Sequence, residues 1–112
     1  MVKVVKMASV KETADDVAFG MGAELGRVGC RNVGALVECR RGHFDINALI
    51  CALQNAGIPA RDTYAIEDDK NLQESLWASF REGFESEVRT YVHAGLAVRR
   101  AKTGQFVVTA KV

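Results

Sequence analysis

Asp68 to Gly95 reads DDKNLQESLWASFREGFESEVRTYVHAG, and its apolar residues keep one period for longer than any other part of the chain. Leu72, Leu76, Phe80, Phe84, Val88 and Tyr91, with Trp77 beside them, recur every three or four residues and so share one side of a helix. Acids gather at its start (Glu67, Asp68, Asp69), where the helix dipole favours negative charge, and Gly95 follows as a C-cap. A helix over 69–94 is about 40 Å long, so the other elements are expected to pack along it.

Working backwards, Asp45 is an N-cap for a helix over 46–56, whose Ile46, Leu49, Ile50 and Leu53 follow the i, i+3, i+4, i+7 rule. Gly57, Ile58 and Pro59 end it. Ser9 and Glu12 have the spacing of a capping box, which predicts a helix over about 10–28. Within it Ala14, Ala18, Gly22 and Gly26 form a ridge of small side chains at intervals of four, suited to close approach of another helix, here the long one. Val2 to Val5 reads as a short strand, and so does Val33 to Cys39. Thr63, Tyr64 and Ile66 suit either a brief strand or a loop. Ala97 to Val112 reads as a terminal β-hairpin turning near Gly104. The expectation is a single α+β domain over 1–112, with three helices and a small, mainly antiparallel sheet.

The chain has 112 residues, 48% hydrophobic and 26% charged, enough for one core without staples. Its longest uncharged stretch, Ile46 to Ala60, is 15 residues and too polar to span a bilayer. Met1 to Met7 is interrupted by lysine and lacks the apolar run of a signal peptide. Three scattered cysteines (Cys30, Cys39, Cys51) do not form a disulfide framework. These features predict a cytoplasmic protein with no membrane partner.

Residues that could carry enzyme chemistry do not fall into the necessary patterns. Cys30, Cys39, His43 and Cys51 are of the right type for zinc, but zinc sites usually present paired ligands on tight turns, and only Cys39 and His43 are close in sequence. No nucleophile motif joins a cysteine to His43 or His93. Gly20 to Gly26 places its third glycine one position late for a dinucleotide loop and lies inside a helix, where close packing is the simpler account. The acids Asp68, Asp69, Glu82, Glu85 and Glu87 are explained by a helix start and a solvated face. The reading is therefore non-enzymatic, with no cofactor and no metal.

Charge distribution carries the functional expectation. Net charge is only +1, yet residues 88–112 hold five basic residues and no acid, and residues 1–11 hold three more. Residues 62–87 hold eight acids against Lys70 and Arg81. If the first strand joined the terminal hairpin, one sheet would collect Lys3, Lys6, Arg99, Arg100, Lys102 and Lys111, a surface that attracts nucleic-acid phosphates by releasing counterions. The competing explanation is that these residues solubilise strand edges. The order helix, strand, helix, helix, basic hairpin resembles a winged-helix domain in topology alone, and no family is assigned on it. The alternative function is a protein–protein interaction or assembly module, a homo-oligomer or a binder of a partner protein, since the amphipathic helix, the small-residue ridge and the strand edges offer ample packing surface.

Overall fold

The computed structural model describes residues 7–99 and 105–109. The fold is α+β, with four helices rather than three: α1 (Met7–Gly29), α2 (Ile46–Asn55), α3 (Ala60–Asp68) and α4 (Lys70–His93). Strands β1 (Leu36–Val37), β2 (Ala97–Arg99) and β3 (Phe106–Val108) form an antiparallel sheet in the order β1-β3-β2. The strand expected at residues 2–5 and the hairpin turn near Gly104 lie outside the described residues.

The capping chemistry of α2 and α4 is local, and it follows the sequence closely. Asp45 accepts a hydrogen bond from Asn47 N at the head of α2 (2.9 Å), and Asp69 accepts one from Leu72 N at the head of α4 (3.0 Å). Both helices end in the same way. Ile58 N donates to Leu53 O across Gly57, and Leu96 N donates to Tyr91 O across Gly95, with both glycines at positive φ (99° and 76°).

Four features differ from expectation. Helix α1 begins at Met7, so Ser9 lies within its first turn; adding Met7 and Ala8 to a helix already formed costs little. Residues 60–68 are helix α3, because Ile66 and Thr63 are fully buried against the other helices and Thr63 Oγ1 bonds Ala60 O within the turn. Helix α3 ends one residue before Asp69, so Glu67 and Asp68 occupy its last turn and only Asp69 serves the start of α4. The strand expected over 33–39 shrinks to two residues, since Gly34 takes φ 86° and Val33 is exposed.

The long helices α1 and α4 run parallel. Their facing positions advance together: Asp15 accepts from Ser79 Oγ (3.1 Å), Phe19 lies against Gly83, Gly22 against Phe80, and Gly26 against Phe84 and Val88. The small-residue ridge does meet the long helix, and the contact is backbone to backbone. A Cβ on Gly22 would stand 2.7 Å from the Phe80 carbonyl carbon, and one on Gly83 would stand 2.8 Å from that of Phe19. Each helix therefore supplies a glycine where the other's backbone enters.

Two cores flank this crossing. On one side Val10, Ala14 and Ala18 of α1, Leu49 and Leu53 of α2, Ile66 of α3, and Leu76 and Phe80 of α4 are buried together. On the other, Cys30, Val37, Phe84, Val88, Phe106 and Val108 join the helix pair to the sheet. Phe44 and Trp77 pack against the first core at Phe80, with ring centroids 5.2 to 6.3 Å apart. Among the described residues no helix is long and apolar enough to cross a membrane.

Candidate nucleic-acid interface

Of the six basic residues expected to form one surface, Lys3, Lys6, Arg100, Lys102 and Lys111 lie outside the described residues. Arg99 closes β2 with its backbone opposite Phe106, and its side chain is also outside the description. Among the described strands β3 has β1 on one flank and β2 on the other, and the sheet lies at the Gly29 end of α1, where Gly29 faces Val37.

The sheet register brings in different basic residues. Strand β1 runs antiparallel to β3, with Val37 opposite Phe106, so the chain leaving β1 travels beside the chain entering β3. Gln105 Nε2 donates to Glu38 Oε2 at 2.6 Å and ties the two together. Arg40 follows two residues later. It pairs with Glu38, and its backbone N–H donates to His43 Nδ1 at 3.0 Å. Because residues 100–104 connect β2 to β3, Arg40 stands on the flank where Arg100 and Lys102 are attached. Arg40 is not among the basic residues expected from the sequence, because its place depends on the pairing of β1 with β3.

The neighbouring Arg41 is already engaged. Its guanidinium makes a bidentate pair with Glu74 of α4, one bond being 2.9 Å, and lies 5.7 Å from the centroid of the Trp77 ring. The Glu74 carboxyl is held below its ordinary range by that pair, and Arg41 is held above its own. Glu38 is likewise depressed, first by the Gln105 hydrogen bond and then by Arg40. Arg41 is thus an anchor between the turn after β1 and α4, whereas Arg40 pairs with Glu38 beside it and keeps 70% of its side chain exposed.

The thiols take separate places. Cys30 is buried in the sheet-side core, Cys39 is half-buried, and Cys51 is exposed on α2. Burial pushes the Cys39 thiol up to about 11, with Arg81 pulling it down and Glu85 adding to the rise. Cys30 is raised by burial and by Glu87. Neither is poised as a nucleophile near neutral pH. Among the described residues no group of three or more histidine, cysteine or acidic side chains is placed to hold a metal ion.

Comparison of the chain with protein-family models, with curated proteins and with solved structures finds no match. The winged-helix order is itself interrupted, because α3 stands between α2 and the long helix.

Proposed function

We propose that this chain is a small non-enzymatic binding protein that contacts nucleic-acid phosphates from the flank shared by Arg40 and the β2–β3 connection. The observation that supports it is the antiparallel pairing of β1 with β3, closed by the Gln105 to Glu38 hydrogen bond, which puts Arg40 beside the attachment points of Arg99, Arg100 and Lys102. Guanidinium and ammonium groups there meet phosphate oxygens directly and displace condensed counterions, which makes the affinity steeply dependent on salt. Contacts of this kind carry no sequence information, so binding is largely independent of base sequence. Lys3, Lys6 and Lys111 contribute less in this reading, since nothing described ties them to the flank.

Fluorescence anisotropy with labelled single- and double-stranded oligonucleotides tests it. Four phosphate contacts predict roughly a 100-fold loss of affinity between about 50 and about 200 mM salt. Replacing Arg99, Arg100 and Lys102 together by alanine reduces that loss to about fourfold, the share of the remaining Arg40 contact, and Arg40→Ala reduces it to roughly 40-fold. Absence of binding at low salt, or affinity unchanged in the triple variant, overturns the proposal.

A further inference from the structure

The small residues Gly22 and Gly26 of α1 are covered by α4 within the chain, so the opposite side of the helix is what remains for a partner. At about 100° per residue, Glu12, Asp16, Phe19, Gly20, Ala23 and Arg27 fall within an arc of about 100°. All of them are exposed except Ala23, which is half-buried. Phe19 keeps 39% of its surface exposed, and among the described residues nothing comes within 4 Å of a Cβ built on Gly20. A glycine inside a helix is destabilising relative to alanine, and no described contact calls for one there.

Charge along this face is ordered. Its first half carries Glu12 and Asp16 and its second half Arg27, while Arg31 follows in the turn beyond α1, where its N–H donates to Val28 O at 3.2 Å. Among the described residues no ion pair involves Glu12, Asp16 or Arg31. Arg27 pairs with Glu24, one turn back, and both side chains stay about half exposed (52% and 49%). Asp15 accepts from Ser79 of α4 and is turned away, and Lys11 stands about 100° round the helix from Glu12, off this face. A face that is acidic at one end, basic at the other, and small and apolar between them complements its own image turned end to end.

We infer that α1 of one copy docks antiparallel on α1 of a second copy, about a two-fold axis level with Met21 and Gly22. Asp16 then faces the second copy's Arg27, Glu12 faces its Arg31, and Phe19 lies over its Gly20 and Ala23, each contact occurring twice. A parallel pairing is disfavoured, because a two-fold axis along the helices would set Asp16 against Asp16 and Arg27 against Arg27. The contact runs along one helix of each copy, a small area for a stable interface, so the dimer is weak and depends on its charges. It needs no nucleic acid and stands or falls independently of phosphate binding.

Light scattering after size exclusion of the full chain, over a wide range of concentration, is expected to show a monomer–dimer equilibrium at about 50 mM salt that shifts towards monomer at about 500 mM. Asp16→Arg and Arg27→Asp each set like charges opposite one another at both symmetric positions, and each is expected to weaken the dimer at least roughly tenfold. Both positions are exposed, so the far-ultraviolet circular dichroism and the melting temperature of the dilute chain are expected to stay near those of the parent. Mixing the two variants restores the affinity, because every reversed charge then meets its opposite. The double variant dimerises for the same reason. Purely structural damage would not be rescued in this way. A monomer at all concentrations in low salt, a dimer indifferent to both reversals, or no recovery on mixing overturns the inference.

Discussion

The crossing of α1 and α4 and the three-stranded sheet are built on opposite principles. At the crossing, two helices of 23 and 24 residues meet at Gly22 and Gly83, where backbone touches backbone and no side chain stands between to adjust. The sheet has strands of two and three residues and depends on a few large side chains, chiefly Phe84 and Phe106, whose ring centroids lie 6.4 Å apart. Backbone contact has no rotamer through which to relax, whereas side-chain contact does. Tolerance to substitution therefore differs sharply between the two regions.

The largest test of that difference is Gly22→Val or Gly83→Val. Each drives a side chain into the opposite helix's carbonyl and is expected to cost about 5 kcal/mol or more, enough to remove the cooperative transition in urea or heat followed by circular dichroism. A cooperative melt near that of the parent chain would show that the helices separate easily, and the contrast would collapse. Phe80→Ala and Phe106→Ala come next, at about 4 and about 3 kcal/mol. Urea titration should show Phe80→Ala losing helical signal throughout, and Phe106→Ala retaining most of it, since Phe106 serves only the sheet-side core.

A smaller effect separates glycines along α1 itself. Gly20 has nothing within 4 Å of its missing Cβ, so Gly20→Ala is expected to stabilise the chain by about 0.5 to 1 kcal/mol. Gly29 faces only the side chain of Val37, and Gly29→Ala is expected to cost about 1 kcal/mol as that side chain gives way. Thermal melts of the two variants in parallel check the sign of each.

The smallest effect is on chemistry at the boundary of the sheet. Cys39 has its thiol pKa raised to about 11, so its folded form favours the protonated thiol; that preference is complete below the unfolded value near 9 and is lost as pH rises through 11. Labelling by a thiol reagent should thus reach Cys51 first near pH 8, with the Cys39 rate still climbing beyond pH 9. A Cys39 rate that levels off at pH 9 would mean this segment opens to water more readily than its packing implies.

Much of the helical architecture is legible in the residues because it is local. Periodicity of 3.6 marks the buried face of α4, Asp45 and Asp69 cap their helices by bonds within three residues, and Gly57 and Gly95 end them by adopting a conformation that other residues avoid. Even the small-residue ridge could be read, since its spacing of four is a property of one helix. Tertiary structure decided what depends on partners distant in sequence. Residues 60–68 carry β-branched and aromatic residues that suit a strand, and the burial of Thr63 and Ile66 makes them a helix. The parallel sense of α1 and α4 is not encoded in either helix, because an apolar face is indifferent to the direction of what covers it. The placement of Arg40 beside the hairpin follows from the pairing of residues 36–37 with 106–107, some seventy residues apart, a registry that no local pattern in the chain specifies.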